Sequence, residues 1–331
     1  MNVREITRGW RIGVDVGGTF TDGIAWNENS GDVARVKVLS SPDDPGRALL
    51  LAFERLMREG GIGGAAVSYL VHGTTVATNA VLQRRLGRVA FITTEGFRDL
   101  LEIGRQVRPD PYDVFAVKPT PLVPRHLCFE VEERIAADGS VVRPLAGGSI
   151  DQVVERLRGS DVEAIAVCLL HAYRNPAHEQ RLAARLRQEF RDLPISISSD
   201  LASEFREFPR ACTAIINSGL MPTASRYLAS LDSELAERKV VGTRLVMQSN
   251  GGSADFSHSA QRPVFLIESG PAAGVVGAAH LAKLLGEDNV ISFDMGGTTA
   301  KVGLVQNGTP YRVQEFEVGA EANRSRGWFG G

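Results

Sequence analysis

Residues 12–21 read IGVDVGGTFT, and residues 291–300 read ISFDMGGTTA. Five of these ten positions are identical, and each copy places an aspartate near the end of an apolar run, followed by Gly-Gly-Thr. A short apolar run that leads into a glycine turn is typical of a buried strand. Two copies of this unit predict two similar halves of a fold that face one ligand.

The repeated turn has the chemistry of a polyphosphate site. Glycines allow backbone N–H groups to approach phosphate oxygens closely, and threonine hydroxyls donate further hydrogen bonds. The predicted phosphate contacts are Gly17, Gly18, Thr19 and Thr21 in the first copy and Gly296, Gly297, Thr298 and Thr299 in the second. A tight β-hairpin is the alternative interpretation of either turn taken alone.

The aspartate of each copy is a candidate metal ligand and catalytic residue. Mg²⁺ prefers one or two carboxylates together with phosphate oxygens, and it gives up its water reluctantly. Asp15 and Asp294 are therefore predicted to hold Mg²⁺ through water. The alternative is that each carboxylate caps its own turn. Neither turn has the spacing G-x-x-x-x-G-K-[ST] or G-x-G-x-x-G, so a P-loop and a dinucleotide fold are excluded.

Composition limits the class of protein further. The 331 residues carry 37 Lys+Arg against 39 Asp+Glu, a formal net charge of −2, and no basic face that would favour nucleic acid. Apolar runs such as Ala164–Leu170 are too short to cross a bilayer, and no secretion signal is evident. A cytoplasmic protein without a membrane partner is expected. Cys128, Cys168 and Cys212 are too widely spaced for a disulfide framework or a zinc site and are expected to be buried.

Strand-like and helical patterns alternate along the chain, which predicts an α/β fold. Predicted strands are Arg11–Val16, Ala34–Leu39, Ser68–Val71, Arg88–Ile92, Ala164–Leu169, Ile195–Ser198, Thr243–Gln248 and Val290–Asp294. Predicted helices are Pro45–Glu59, Ile150–Leu157, Ala177–Phe190, Gly270–Leu285 and Cys212–Ala236, the last broken near Pro222. A hairpin is predicted over Phe129–Pro144, around Asp138-Gly139.

Several polar residues outside the repeat are further candidates. His72 opens the segment HGTT after a predicted strand, where α/β folds place ligands, and is predicted to act in catalysis as a donor or proton-transfer group beside Thr74, Thr75 and Asn79. Thr75 is taken as a second catalytic candidate. A hydrogen-bonded structural histidine is the alternative for His72.

Three other groups have two interpretations each. Lys301 either reaches a phosphate or is an exposed strand residue, and Asn250, Gly251 and Gly252 either line the nucleotide cleft or form a β-turn. Glu204, Arg206, Glu207 and Arg210 form either an active-site charge cluster or a solvated helix start. His178-Glu179 lacks the second histidine of a zinc-protease motif and is interpreted as an exposed helix start.

These residues resemble a known architecture. The paired turns are similar to the two phosphate motifs of the actin, hexokinase and heat-shock-chaperone ATPases, and the small-residue helix after Glu268-Ser-Gly-Pro271 is similar to their connecting helix. The resemblance narrows to the hydantoinase A, 5-oxoprolinase and acetone carboxylase β-subunit family and extends to about Val305. It rests on GVDVGGTFTDG (13–23), HGTTVATNAVL (72–82), SSDLASEFREFPRACTAIIN (198–217), MQSNGG (247–252), ESGPAAG (268–274) and FDMGGTTAK (293–301).

The resemblance implies a ribonuclease-H-like, actin/hexokinase-type fold and the use of ATP with Mg²⁺. The implied activity is phosphorylation of a cyclic amide carbonyl, as in a hydantoin, 5-oxoproline or a lactam, so that the ring can be hydrolysed. A hydantoinase B-type partner subunit and an oligomer are implied too. A ketone carboxylase β-type subunit, a small-molecule kinase of the same superfamily and an inactive or regulatory fragment are the alternatives.

The repeat and the resemblance together predict the domain organisation. Residues 1–290 are expected to form the first half of the ATPase fold, with an insertion at about 105–150 and a connecting helix over 270–285. Residues 291–331 would begin the second half. No glycine-rich adenosine motif follows Asp294, so the second half is expected to be truncated.

Overall fold

A computed structural model describes residues 9–41, 44–106, 112–115, 117–295 and 300–313. The strands are β1 (Trp10–Val16), β2 (Phe20–Asn27), β3 (Val33–Leu39), β4 (Val67–Thr74), β5 (Val89–Thr94), β6 (Cys128–Val131), β7 (Arg134–Ile135), β8 (Val141–Arg143), β9 (Ala164–Cys168), β10 (Ile195–Ile197), β11 (Thr243–Met247), β12 (Ser253–Asp255), β13 (Val290–Met295), β14 (Ala300–Gln306) and β15 (Thr309–Pro310). The helices are α1 (Pro45–Glu59), α2 (Val76–Leu82), α3 (Leu100–Ile103), α4 (Gly147–Arg158), α5 (Ala177–Glu189), α6 (Ser198–Leu201), α7 (Glu207–Glu237), α8 (Phe256–Gln261) and α9 (Ser269–Leu285).

The described residues divide into two compact units. The first contains those of Met1–Asn79 and Ala224–Gln314, and the second contains those of Ala80–Thr223. The predicted division at residue 290 into two halves of an ATPase fold stays a prediction.

A six-stranded mixed sheet in the order β12-β11-β4-β1-β2-β3 forms the centre of the first unit. Strand β1 pairs parallel with β4 and antiparallel with β2, and β4 pairs parallel with β11. This register places Asp15 between Gly73 on β4 and Asp22 on β2. The aspartate of the first repeat therefore lies near the end of a strand that has neighbours on both sides.

Helix α1 covers the β1–β3 side of this sheet and matches its predicted bounds. It begins where Asp44 accepts a hydrogen bond from the Arg47 N–H at 3.1 Å, and Pro45 occupies a first-turn position that needs no N–H donor. Its apolar stripe is buried at Ala48, Leu49, Ala52, Phe53 and Leu56. Burial of this stripe is what holds the helix on the sheet.

A separate three-stranded antiparallel sheet, β13-β14-β15, carries the second copy of the repeat. Helix α9 packs on one face, where a Cβ at Gly303 would lie 2.2 Å from the Val275 side chain, so only glycine fits. The other face presents Ile291, Phe293 and Val302, which are 71%, 63% and 67% exposed. One face of this sheet is thus apolar and uncovered by the described residues.

The second unit is built on an all-parallel sheet in the order β10-β9-β5-β6. Every residue of β5 and β9 is buried, as expected for a sheet covered on both faces. Helices α4 and α5 pack against β6, β9 and β10. Cys128 and Cys168 belong to this core, which confirms their predicted burial, whereas Cys212 is only half-buried.

Two predicted elements differ from the structure. Helix α7 is not broken at Pro222 but continues from Glu207 to Glu237, because buried residues such as Leu220 and Leu228 on both sides of the proline hold it by packing. The hairpin around Asp138-Gly139 is present as β7 and β8, with Gly139 at a φ of +90°, but it is shorter than predicted. The first residues of the predicted hairpin instead form β6, which joins the parallel sheet. None of the helices among the described residues is both long and apolar enough to span a membrane.

Candidate functional site

The carboxylate of Asp15 lies directly against the backbone of two glycines. A Cβ at Gly73 would lie 2.4 Å from Asp15 Oδ1, and a Cβ at Gly270 would lie 3.2 Å from the same atom. Gly73 is on the neighbouring strand β4 and Gly270 is in the first turn of α9. Any larger residue at these two positions would displace the carboxylate.

The charges of two other carboxylates act on Asp15. Burial among the surrounding atoms is the main cause that raises the pKa of Asp15, and the negative charges of Asp22 and Asp294 raise it further. The side chain nevertheless keeps solvent-exposed surface, so a ligand can reach it. Asp22 is itself paired with Lys37, at 2.8 Å. The two repeat aspartates are therefore close enough for their charges to interact, as the two-halves hypothesis requires.

This charge distribution fits a divalent cation. A cation between Asp15 and Asp294 would relieve the repulsion that raises the Asp15 pKa. The part of the chain that the structure describes contains no cluster of three or more metal-ligating side chains. A cation with Asp15 and Asp294 as its protein ligands would complete its shell with other oxygens, as Mg²⁺ does in proteins.

The first glycine turn joins β1 to β2, and its two glycines differ. Gly17 donates its N–H to the Phe20 carbonyl at 3.1 Å, and a Cβ there would lie 2.9 Å from that oxygen, so the turn itself needs Gly17. A Cβ at Gly18 would have no atom within 4 Å. The open space beside Gly18 is what close approach of a phosphate would need.

The two predicted threonine contacts of the first turn are placed differently. Thr19 is exposed beside Gly18. Thr21 is fully buried, and its Oγ1 lies 2.9 Å from Ser40 Oγ. The structure therefore brings Thr19 to the turn but directs Thr21 into the fold.

The second turn is described only at its edges. Gly296, Gly297, Thr298 and Thr299 lie outside the described residues, so their phosphate contacts stay predictions. Asp294 pairs with Lys301 across β13 and β14. The Lys301 ammonium forms an ion pair with Glu268 at 2.5 Å, so it is not a free surface lysine.

Glu268 was not predicted as a site residue, although it anchors the start of α9. Its φ of +58° is in the left-handed region, which is unfavourable for a residue with a side chain. Its N–H donates to Thr78 Oγ1 at 2.8 Å, and the next residue, Ser269, donates its hydroxyl to the Thr74 carbonyl at 3.2 Å. These contacts fix the first turn of α9 and so place Gly270 against Asp15.

His72 lies inside the sheet rather than in a polar turn. Strand β4 does not end at Val71 as predicted but continues to Thr74, because it lies between β1 and β11 and its backbone groups remain paired. His72 has no exposed surface, and its Nδ1 lies 3.3 Å from the Val14 carbonyl. Burial lowers the pKa of His72 to about 4. The geometry favours the structural alternative for this histidine.

The second ring nitrogen of His72 belongs to a directional chain of hydrogen bonds. Because Nδ1 faces a carbonyl it must carry the proton, and Nε2 therefore accepts from the Tyr227 hydroxyl at 2.6 Å. Tyr227 is also hydrogen-bonded to Thr74, whose Oγ1 accepts the Val76 N–H at 3.2 Å. The HGTT segment thereby joins β1, β4 and α7 without exposing an ionisable group.

We expect this buried histidine to make the protein sensitive to acid. His72 titrates near pH 6.5 in the unfolded chain but only near 4 in the folded protein, so the unfolded state binds the proton first as the pH falls. Stability should therefore fall by roughly 3 kcal/mol between pH 6.5 and 4. Urea unfolding across this range measures it. His72→Gln should flatten the dependence and exposed His126→Gln should not, whereas the same slope in all three proteins would contradict the assignment.

Thr75, Asn79 and Asn250 each take part in local hydrogen bonds. Thr75 donates to the Val16 carbonyl at 3.3 Å, and Asn79 donates to Thr75 Oγ1 at 3.4 Å, which places Thr75 beside the end of β1. Asn250 and Gly251 form the turn between β11 and β12, where Asn250 Oδ1 accepts the Gly252 N–H at 2.8 Å. Gly251 has a φ of +81°, as this turn demands. The geometry matches the β-turn alternative.

The charged segment near residue 207 does not form one cluster. Glu204 and Arg206 are exposed and Glu207 is half-buried, whereas Arg210 is only 2% exposed. Arg210 donates to Ser198 Oγ and to the Leu169 carbonyl. The structure thus separates a solvated helix start from one buried arginine.

His178 and Glu179 are buried, so their prediction as an exposed helix start is wrong. Glu179 accepts hydrogen bonds from the Leu169 N–H, the Ser198 hydroxyl and the Ser199 N–H. His178 Nδ1 lies 2.7 Å from Glu133 Oε2. The helix start is buried because donors from distant segments turn towards it.

Sequence reasoning missed Tyr227, Thr78 and the role of Glu268. Tyr227 lies 155 positions from His72 along the chain, so no local spacing connects them. Thr78 and Glu268 are separated by 190 positions. One signal exists in the sequence: Thr78 and Lys301, the two partners of Glu268, belong to the segments HGTTVATNA (72–80) and MGGTTAK (295–301).

Profiles of two protein regions match this chain. The profile described as "Hydantoinase/oxoprolinase N-terminal region" covers residues 11–190, and the one described as "Hydantoinase/oxoprolinase" covers residues 210–326. An uncharacterized protein of Methanocaldococcus jannaschii is 38% identical over 321 residues, which are 96% of this chain and 47% of that one. Caprolactamase subunit alpha of Pseudomonas jessenii is 33% identical, over 90% of this chain and 44% of that protein. 5-oxoprolinase 1 of Arabidopsis thaliana is 34% identical, over 88% of this chain and 25% of that protein.

Two solved structures have a similar fold. The ATP-dependent caprolactamase of Pseudomonas jessenii superposes with a TM-score of 0.81 at 33% identity, over 89% of this chain and 43% of that one. Nucleotide-free acetone carboxylase superposes with a TM-score of 0.79 at 28% identity, over 91% of this chain and 44% of the acetone carboxylase chain. Both similarities confirm the predicted actin/hexokinase-type α/β fold. The chain spans between a quarter and about half of the length of the relatives named here.

Proposed function

The chain belongs to the hydantoinase/oxoprolinase family, and we propose that it takes part in the ATP-dependent activation of a cyclic amide carbonyl for hydrolysis. Relatives named for ATP-dependent caprolactamase and 5-oxoprolinase activity support this class of reaction. Caprolactamase is named by its subunit, which supports a partner subunit for this protein as well; we propose one of the hydantoinase B type. A hydantoin, 5-oxoproline or another lactam is the proposed substrate.

One observation carries the proposal. Asp15 and Asp294, from the two copies of the repeat, share one electrostatic environment, and the backbone of Gly73 and Gly270 lies directly against the Asp15 carboxylate. Gly18 leaves open space at the adjacent turn. Two carboxylates whose charges interact beside close glycine backbone suit a metal-bound polyphosphate better than they suit a structural core.

Each residue of the site has a proposed task. Asp15 and Asp294 hold Mg²⁺ through water, and the Gly18 N–H with the Thr19 hydroxyl orients phosphate oxygens, while the Gly17 N–H closes the turn on the Phe20 carbonyl. When bound, Mg-ATP supplies a γ-phosphoryl group that converts the poorly electrophilic amide carbonyl into an activated one. Glu268 holds Lys301 beside Asp294, close to the second turn.

The HGTT segment has a positioning task in this proposal. His72 keeps β1 and β4 in register through the Val14 carbonyl, and Tyr227 fixes the His72 ring. Thr74 and Thr78 hold the start of α9. These contacts set the distance between the Asp15 carboxylate and Gly270, on which metal binding depends.

The test is ATP hydrolysis by the protein together with its partner subunit. A panel of hydantoins, 5-oxoproline and lactams is supplied, and release of phosphate is followed with and without each compound. A cyclic amide that stimulates phosphate release and is itself opened would support the proposal. Mg-ATP binding without stimulation by any amide or ketone would contradict it.

Ketone carboxylation is a second candidate, favoured by the similarity to acetone carboxylase. In carboxylation the ketone reacts through a nucleophilic α-carbon, so the same site would transfer the γ-phosphoryl group to the carbonyl oxygen as an α-proton leaves, giving an enol phosphate and ADP. Acetone and acetophenone with bicarbonate therefore belong in the panel. Carboxylated product without amide hydrolysis would select this candidate.

Two glycine variants separate ligand binding from folding. Gly18→Ala adds a methyl group into open space, so stability should stay within about 0.5 kcal/mol while Mg-ATP affinity falls by about tenfold or more. Gly73→Ala places a methyl group 2.4 Å from Asp15 Oδ1 and should reduce turnover and stability together. Calorimetric titration and thermal unfolding measure both quantities. Unchanged nucleotide affinity in Gly18→Ala would remove this turn from the site.

A further inference from the structure

A polar cavity lies in the second unit, whereas the residues proposed to act on ATP belong to the first. It has a volume of about 210 Å³ and is lined by Glu95, Arg98, Glu130, Glu132 and Arg156, among others. Glu95 and Glu132 directly follow the carboxyl ends of β5 and β6. Crevices outside the carboxyl ends of parallel strands are where α/β sheets commonly bind ligands.

The carboxylates that line this cavity already have partners. Arg143 forms ion pairs with Glu95 at 2.6 Å and with Glu132 at 2.5 Å. Glu130 accepts the Gly96 N–H at 2.8 Å and the Arg98 N–H at 3.1 Å. The acidic residues are therefore matched within the protein, and they do not by themselves indicate a cation site.

The arginines of the cavity have donors to spare. Arg98 uses one terminal nitrogen on the Arg125 carbonyl at 3.1 Å, while its Nε is buried and has no acceptor. Arg156 lies with its guanidinium carbon 4.7 Å from the centre of the Phe129 ring and has no ion pair among the residues described. A guanidinium stacked on a ring still has its edge available for hydrogen bonds, and the terminal nitrogens of Arg98 carry more N–H groups than the one used on Arg125.

We propose that this cavity binds a small oxyanion, either a phosphate group or a carboxylate, through Arg98 and Arg156. Each guanidinium presents planar donors that match two oxygens of such a group. At the corner after β5, the Gly96 and Arg98 N–H groups both bind the Glu130 carboxylate and so offset part of its charge beside the arginines. The site goes beyond the proposed ATP chemistry and needs no nucleotide.

Titrations of inorganic phosphate and of malonate, in separate experiments without nucleotide, test the site. Backbone amide NMR signals of Glu132 and Ser149, which line the cavity, report on binding there, and the signal of Gly18 reports separately on phosphate at the first glycine turn. We expect saturable shifts with at least one of the two anions. Tighter phosphate binding would identify a phosphate-bearing ligand, and tighter malonate binding would identify a carboxylate.

Three variants complete the test. Arg156→Gln removes an exposed guanidinium and should weaken anion binding by about tenfold. Arg98→Lys keeps the charge but removes Nε and should weaken it as well. Arg158→Gln, two positions along the same helix, removes ion pairs with Glu155 and Glu189 outside the cavity and should leave binding unchanged. No saturable shift with either anion, or equal affinity in Arg156→Gln and the wild type, would overturn the proposal.

Discussion

Asparagine at Asp15 or at Asp294 is expected to lower ATP turnover by about a hundredfold or more, with little change in stability. Asparagine keeps the size of the side chain and one oxygen, but it removes the charge that would hold Mg²⁺. Asp15 is the residue on which the geometry converges, since its carboxylate lies against Gly73 and Gly270 and interacts with the charge of Asp294. Steady-state phosphate release, in the presence of the partner subunit, measures the effect.

Asp22→Asn provides a matched control. Asp22 also raises the pKa of Asp15, but its carboxylate is paired with Lys37 on the neighbouring strand, so its loss should reduce turnover only severalfold. Thermal unfolding checks that all three variants are folded. Turnover that is unchanged in Asp15→Asn would remove this residue from the mechanism, and equal losses in all three variants would indicate a general charge effect instead.

The pH dependence gives an independent readout of the same site. The raised pKa of Asp15 means that its carboxylate becomes protonated, and loses its affinity for a cation, at a higher pH than an ordinary aspartate. Asp22→Asn removes one of the charges that raise this pKa. The acid limb of turnover should therefore move to lower pH in Asp22→Asn than in the wild type.

Elements with a strong local pattern were predictable from the sequence. Helix α1 matches its predicted bounds because a capping aspartate, a first-turn proline and an apolar stripe all occur within sixteen residues. Strands β1 and β13 were predicted from the repeat itself, one residue shorter than observed in each case. In these segments the local propensity and the tertiary fold favour the same structure.

Elements that depend on distant partners were not predictable. Nothing in HGTT indicates a strand, yet β4 continues through it because β11 pairs with its backbone as far as His72 and β1 as far as Thr74. Pro222 indicates a helix break, yet packing outweighs a local cost of about 3 kcal/mol. His178 and Glu179 have the polarity of a surface, and their burial depends on donors at Leu169 and Ser198 that no spacing reveals.

The candidate site, like the fold, was predictable where a local pattern exists and not where contacts join distant segments. The sequence supplied Asp15, Asp294 and the glycine turn, since their repetition is itself a pattern. It suggested a catalytic role for His72, whereas the geometry makes this residue a support for β1. The contacts of Glu268 with Thr78 and Lys301 exist only after α9 and β14 are in place. The residues proposed to touch a ligand are thus easier to find in this sequence than the residues that position them.

The buried arginine of the second unit should have the largest effect on stability. Arg210 is 2% exposed and donates to Ser198 Oγ at 2.8 Å and to the Leu169 carbonyl at 3.0 Å. The same Ser198 hydroxyl donates to fully buried Glu179 at 2.6 Å, so the serine bridges the two opposite charges. Arg210→Met should lower the free energy of unfolding by about 3–5 kcal/mol, because Glu179 is left buried without its cation.

Urea unfolding at two pH values distinguishes this cause from simple loss of packing. Burial raises the pKa of Glu179 above its unfolded value, so the folded state binds this proton more tightly and the carboxylate becomes less costly as the pH falls. The defect of Arg210→Met should therefore be smaller at low pH, and Glu179→Gln combined with Arg210→Met should recover part of the loss. Arg181→Met, exposed on α5 beside Glu179, should change stability by no more than about 0.5 kcal/mol. A defect in Arg210→Met that is independent of both pH and Glu179 would mean that the arginine acts through its packing alone.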